Sequence, residues 1–402
     1  MIGRDAVIFA TLRMSQFTDL FKGFFHSEKV AGLLLVTCTV VSLLIANSGA
    51  GDAYAHLLHQ ELGPAALGLR FSVEHWINDG LMAIFFLMVG LEVERELYVG
   101  ELSDIRKAIL PLAAAVGGML LPAAIHFAFN AGTPTQPGFA IPMATDIAFA
   151  LGILSLAGNR VPTSVKVFLA ALAIIDDIGA ILVIAFFYTE TVFFGWLGGA
   201  LGIFAALCGL NRLGVRSLWF YLPPGILMWY CFLQSGVHAT ISGVLLAFAI
   251  PFDEKDDANV SLQLQHFLHQ PVAFGIVPVF ALANTAIRLP SEWLSGVTGR
   301  NGLGIIAGLY VGKVVGIVGA PLLLVRAGWA RLQEGLTWRA LAGAGFLGGI
   351  GFTMSMFIAN LAFPDPTHVI GSKLAILLAS TGSALTGLLL FRTGPRAPHA
   401  SS

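Results

Sequence analysis

The chain has 402 residues, of which 56% are hydrophobic and only 11% charged, and its formal net charge is −1. Soluble domains carry roughly 25% charged residues, so this composition excludes an ordinary soluble protein. Near-neutrality and the lack of a long basic tract exclude nucleic acid as the partner. Cys38, Cys208 and Cys231 all fall in apolar runs. An odd, widely spaced set of that kind supports neither a disulfide framework nor a zinc site, and no cofactor is expected.

Taken in order, residues 1–29 read as a cytoplasmic segment. Arg4, Asp5 and Arg13 surround a very short apolar patch there, which is not the pattern of a signal peptide, so the first helix is expected to direct insertion. Apolar stretches suited to a hydrocarbon core of ~30 Å then recur near 30–47, 76–98, 108–129, 139–157, 165–188, 193–210, 218–233, 237–250, 268–287, 302–325, 340–361 and 372–391. The seventh and eighth are short for a full span. Residues 392–402 read as a second cytoplasmic segment. All spans should be helical, because lipid offers backbone groups no other open-ended partner. The fold class is therefore all-α and polytopic, with twelve transmembrane helices in one transporter-sized unit, 30–391.

Loop charges test the count. With the N-terminus inside, only Arg70, Arg288, Arg300 and Lys373 of the 22 Lys and Arg fall in outside loops. Lys313 lies within the tenth span, and every other basic residue falls inside. That bias fits the positive-inside rule with both termini cytoplasmic and an even number of spans.

Two spans differ from the rest. The fourth, GFAIPMATDIAFALGILSLAG, holds Pro142, Thr145 and Asp146; the eleventh, LAGAGFLGGIGFTMSMFIAN, packs Gly343, Gly345, Gly348, Gly349 and Gly351 ahead of Thr353. Freed backbone groups survive at membrane depth only when buried in protein or lining a cavity. Each of these spans sits between two long ones, so the pattern predicts two three-helix units, about 108–188 and 302–391, each with an interrupted middle helix. Interrupted helices at corresponding positions of two halves point to a transport site. The plain alternative for such glycines is close helix packing.

The fifth span carries the chemistry. In AALAIIDDIGAILVIAFFY, Asp176 and Asp177 stand together in an apolar run, where a charge costs roughly 2.5–3.5 kcal/mol on insertion scales. Neighbours on a helix point about 100° apart, so the two acids face different surroundings. Lys313, read as the one basic residue deep in a span, is the natural partner for one of them. Burial opposes ionisation of a carboxyl and pairing favours it, so a carboxyl poised between the two can exchange a proton for a metal cation. The bland reading is a structural ion pair with a spare acid.

Asp146 follows Thr145 at the expected break. Half-helix ends carry partial charge, so Asp146 is suited to neutralise paired N-termini and Lys313 paired C-termini. A direct ligand role for Asp146 is the less favoured alternative. At the end of the second span, MVGLEVERELYVG places Glu92, Arg95 and Glu96 on one helix face, either as a titrating vestibule or as an ordinary solvated helix end. His238, in SGVHATISG, titrates near neutral pH when unperturbed, although a lone histidine there more often caps a helix.

Several strings together, WINDGLMAIFFLMVGLEVERE (76–96), ATDIAFALGIL (144–154), LAIIDDIGAI (172–181), SGVHATISGVLLA (235–247) and GFLGGIGFTMSMFIA (345–359), closely resemble the bacterial sodium/proton antiporter of the NhaA type. That family is itself among the transporters behind the interrupted-helix rule. The resemblance implies twelve helices, an inverted three-helix repeat with crossed broken helices, and cytoplasmic termini in the bacterial inner membrane. It implies electrogenic, pH-regulated exchange, two protons entering for each sodium or lithium ion leaving. Asp177 matches the principal cation and proton ligand, and Asp176 matches its neighbour paired with Lys313. Thr145 and Asp146 match the helix crossing; Glu92, Arg95, Glu96 and His238 match positions linked to pH control. The family is often dimeric through a β-hairpin in its first outward loop, for which 48–75 is long enough.

Two departures stand in the sensing region. In LQLQHFLHQP, Gln265 replaces a family glutamate, and Glu94 replaces a basic residue. Enzyme readings fit less well than transport. Asp177 is followed by Ile, Gly and Ala, not by the spaced acids of an aspartate-rich prenyltransferase, and Gly51-Asp52 lies in a loop, not in the helix an intramembrane aspartyl protease needs. A sodium-coupled symporter would use more backbone and hydroxyl ligands, and no charged ring or filter repeat supports a channel.

Overall fold

The computed structural model describes residues 29–158, 161–189, 191–253, 259–333 and 335–393. Most of the two expected cytoplasmic segments, with Arg4, Asp5 and Arg13, lies outside the described residues, as do Arg160 and Lys255. The described chain is mostly helical. Eight of its helices are long and apolar enough to cross a membrane, or ten when each of two bent pairs is one span. They are α1 (Lys29–Ala46), α2 (Val73–Tyr98), α3 (Ile105–Asn130), α4 (Thr163–Phe187), α5 (Phe194–Arg212), α6 (Val260–Asn284), α7 (Arg300–Arg326) and α8 (Pro366–Arg392). The bent pairs join Gln136–Met143 to Ile147–Leu156 at 41° and Trp338–Gly348 to Phe352–Ala362 at 44°. Leu222–Ser235 and Ile241–Ala249, of 14 and 9 residues, are separate helices below the length of a full span.

The sixth long helix starts at Val260, well before the 268 read from hydropathy, because Asn259 caps it by accepting from the Ser261 and Leu262 amides. Exceptions to helix lie in 48–75. There a short α-helix, Gly51–His59, precedes two antiparallel strands, β1 (Glu61–Leu62) and β2 (Phe71–Ser72), with Glu61 opposite Ser72. Arg70 closes on Glu61 at 2.7 Å across this hairpin.

The solvent relations of a soluble protein are reversed. Leu33, Phe186, Phe194, Leu385 and Leu389 are exposed, whereas Asp146, Asp176, Asp177, Lys313 and Lys373 are buried. An apolar exterior is stable only against lipid, and polar side chains then gather where protein can pair them. This is a multi-pass membrane protein.

Helix α3 packs closely along α7. Their closest approach is at Gly117 and Gly316, where a Cβ on either residue would collide with the other's backbone carbonyl. Small residues let such helices meet backbone to backbone, which gains dispersion contact where no hydrophobic drive exists. Just before Lys313, α7 widens into a π-helical turn over Ala307–Gly312. Gly308 and Gly312 in that turn face Pro142 and Pro122. A wide turn of this kind shifts the register of the side chains after it and often marks a functional position.

Lys373 corrects the charge reading. The loop-charge pattern groups it with the outside charges, but it sits within α8 and is 7% exposed. Lys313 is therefore not the sole basic residue inside a span. The two share a cause, since each has a carboxylate near it to offset burial.

Candidate functional site

The two bent pairs meet at their breaks. Ala144, Thr145 and Asp146 leave the helical path, as do Ile350 and Gly351. The amide of Asp146 donates to the Ile350 carbonyl at 2.7 Å, so one break supplies a backbone partner to the other. That bond satisfies groups that neither interrupted helix pairs by itself.

Asp146 then caps both outgoing half-helices. One carboxylate oxygen accepts from the Phe149 amide at 2.9 Å, in the first turn of Ile147–Leu156. The other accepts from the Thr353 amide at 3.1 Å and hydroxyl at 2.5 Å, in the first turn of Phe352–Ala362. One negative charge thus faces two helix N-termini, the arrangement helix dipoles favour.

Positive charge sits on the opposite side of the crossing. The ammonium of Lys313 donates to Thr145 Oγ1 at 3.0 Å and forms an ion pair with Asp176. Thr145 Oγ1 lies 2.8 Å from Asp176 Oδ2 and 2.7 Å from the carbonyl of Gly348, the last residue of Trp338–Gly348. A hydroxyl has one proton, so Thr145 alternates between carboxylate and carbonyl while always accepting from Lys313. The lysine charge is carried in this way to the C-terminal end of one half-helix.

Asp177 has a different environment. It is 2% exposed, and its Oδ1 has no hydrogen-bond partner. Asp176 Oδ1 is also unpartnered. Two buried carboxylate oxygens on adjacent residues, both without donors, lie beside the helix crossing. Buried polar atoms are almost always paired, and leaving a charged group unpaired costs several kcal/mol. Carboxylate oxygens of this kind can accept a proton or a small cation. Among the described residues, no three His, Cys, Asp or Glu side chains are placed to hold a metal ion together. A strong resident-metal site of those ligands is thus not formed there, whereas a transported ion must be held weakly enough to leave.

The remaining sequence candidates make no bond to the crossing, although Glu92 is near enough for its charge to act on Asp177. Arg95 bonds Glu96 at 2.8 Å and stands 4.0 Å from Glu92, all near the end of α2. His238 is in the turn before Ile241–Ala249, its ring Nε2 2.9 Å from the Tyr188 carbonyl. Glu94 and Gln265 lie on α2 and α6, which pack together. Glu94 accepts from the Ser261 hydroxyl at 2.9 Å, and Gln265, one turn further along α6, is buried with its Oε1 unpartnered.

Sequence reading passed over a second polar cluster, Asn78, Asn284, Asn360 and Lys373, and a third, His126, Asn130, Asn301 and Ser372. Single amides in apolar runs were the available signal. Only the assembly of separate helices shows that they touch.

Long apolar helices, a pair of them broken and crossed, and ionisable groups buried at the crossing define a multi-pass secondary transporter. The chain belongs to the Na+/H+ antiporter 1 family, whose profile matches residues 22–391. It is 52% identical to the Na(+)/H(+) antiporter NhaA of Cytophaga hutchinsonii, covering 95% of this chain and 97% of that one. Identity to the Na(+)/H(+) antiporter NhaA of Dechloromonas aromatica is 55%, over 93% and 96%. The Na(+)/H(+) antiporter NhaA 1 of Clostridium beijerinckii is 45% identical, over 92% and 94%. These relatives are named as transporters, not as enzymes.

Proposed function

We propose that the chain exchanges cytoplasmic Na+, or Li+, for external H+ through Asp177. The observation that carries this reading is the unpartnered, buried Asp177 Oδ1 beside an equally unpartnered Asp176 Oδ1. A carboxylate in that position takes either a proton or a cation, and competition between them at one group is antiport. Each ion then loads only when the other has left, and alternating exposure of the site to the two sides converts competition into exchange.

In this reading Asp177 is the principal ligand and Asp176 assists it. Lys313 holds Asp176, and parting of that pair supplies the second charge movement that makes exchange electrogenic, two protons per sodium ion. Asp146 and Thr145 keep the crossing neutral while the site changes sides. Glu92, Arg95, Glu96 and His238 tune the exchange to pH.

Leu222–Ser235 and Ile241–Ala249, added to the eight long helices and two bent pairs, make the twelve spans of the proposed topology. The repeat units are 108–188 and 302–391, and both termini are cytoplasmic in the bacterial inner membrane. A homodimer forms through the short hairpin of β1 and β2.

The test is sodium-driven proton movement in proteoliposomes, with potassium as control. Exchange should require sodium or lithium, and Asp177→Asn should abolish it. Full activity in Asp177→Asn, or indifference to sodium, refutes the proposal. Lys313→Ala that still moves net charge at the native ratio would make Lys313 structural and not a proton carrier.

A further inference from the structure

Lys373 has no part in the exchange site described above, yet burying its ammonium is expensive without a purpose or a partner. Its nearest carboxylate, Glu74, is 3.8 Å away, too far for a hydrogen bond. Its hydrogen bond, to Asn284 Oδ1, is long at 3.3 Å. Asn284 is fully buried and acts as a hub. Its Oδ1 also accepts from Asn360 Nδ2 at 2.6 Å, and its Nδ2 donates to Asn78 Oδ1 at 2.8 Å and to the Phe280 carbonyl at 3.1 Å. One amide therefore joins α2, α6, the half-helix Phe352–Ala362 and α8.

The position of this hub in the fold is informative. Phe352–Ala362 starts at the crossing, where Thr353 bonds Asp146, and ends at the hub through Asn360. The two points are about 10 Å apart along the helix axis. Between them Phe357 packs against Phe86 and Phe280, with ring centroids at 5.7 and 6.4 Å. An aromatic layer and a polar layer thus close the same three elements in succession, on the side of the crossing where α2 starts and α6 ends.

We propose that Lys373 is a positioning residue for transport: through Asn284 it latches Phe352–Ala362 and α8 to α2 and α6, and this latch must part before the exchange site opens to that end of the bundle. The inference rests on alternating exposure of the Asp176–Asp177 site. A cation suits the task. Its attraction to Glu74 acts across a gap and is not directional, so the latch re-forms without needing one geometry, while the amide bonds set the register. The looseness of the Lys373 contacts keeps the closed state from becoming permanent.

The test uses the full chain with Cys38, Cys208 and Cys231 replaced by Ser and Ala281→Cys added, reconstituted and exposed to a membrane-impermeant, charged methanethiosulfonate. Ala281 is fully buried one turn inside Asn284. Lys373→Met should speed labelling of the introduced thiol about tenfold, the shift expected from losing one charge-assisted hydrogen bond in a two-state latch. Lys373→Arg should stay near the parent rate. Asn360→Leu, which removes the half-helix donor and keeps the lysine, should also label faster, and it decides the matter if Lys373→Met does not reach the membrane. Labelling at the parent rate in Asn360→Leu, or in a folded Lys373→Met, overturns the proposal. Sodium-driven proton movement is measured on the same vesicles. Its absence from the parent would refute the exchange reading, while the labelling rates would still report on the latch.

Discussion

Replacement of Lys313 by Met is the sharpest probe of the helix crossing. Lys313 and Asp176 are both fully buried and ion-paired, and among the described residues Thr145 is the only other side chain bonded to the paired oxygen. Met keeps the volume of the lysine stem but leaves the Asp176 carboxylate facing one hydroxyl. Removing one partner of a buried pair costs about 3–5 kcal/mol. For 402 residues, with an unfolding entropy of roughly 2.1 cal/mol/K per residue, each kcal/mol shifts Tm by about 1.2 °C. The variant should therefore melt at least about 4 °C below the native protein. Detergent-purified protein can be followed by thiol reactivity on heating, because Cys231 is buried until the bundle opens. Asp176→Asn added to Lys313→Met should recover at least half of the loss, since the uncompensated charge is gone. A single variant melting within about 1 °C of the native protein, or a double variant no better than the single, would refute the idea that charge pairing holds the crossing.

Two further outcomes follow from the same geometry. Gly117→Val should prevent stable accumulation in the membrane, because a side chain there meets the Gly316 backbone, whereas Gly319→Ala, which meets nothing within 4 Å, should accumulate normally; expression by fluorescence size-exclusion chromatography separates them. Gln265→Glu places a second acid one helical turn from Ser261, the partner of Glu94, so two like charges then share the contact between α2 and α6. The pH of half-maximal exchange should move to the alkaline side, and equal midpoints for the native chain and the variant would count against any role for this interface in pH response.

Membrane class and most helix positions were legible in the linear pattern, because a hydrocarbon layer imposes length and apolarity on every span separately. The interrupted segments were legible for a related reason: Gly, Pro and a lone Asp at such density weaken a helix, and the backbone groups they free need protein around them. Hydropathy was weaker at helix ends. The start of α6 at Val260 depends on the Asn259 cap, a local hydrogen bond that an apolar average does not register. Lys373 was misread because a basic residue near a span end looks like a loop charge until the helices packed around it are known.

The sequence by itself determined that two acids and a lysine lie inside the membrane, since their neighbours along the chain are apolar whatever the fold. It could not determine which acid the lysine meets. Asp176 and Asp177 are adjacent, and only the packing of α4 and α7 on α3, together with the crossing, turns Asp176 toward Lys313 and Thr145, leaving Asp177 Oδ1 without a donor. The same holds for Asn284, whose side-chain partner Asn78 stands 206 positions away in the chain. Contacts of that range come from helices lying side by side. A free carboxylate next to a paired one is therefore a property of the assembled bundle, and it is the property on which the proposed exchange rests.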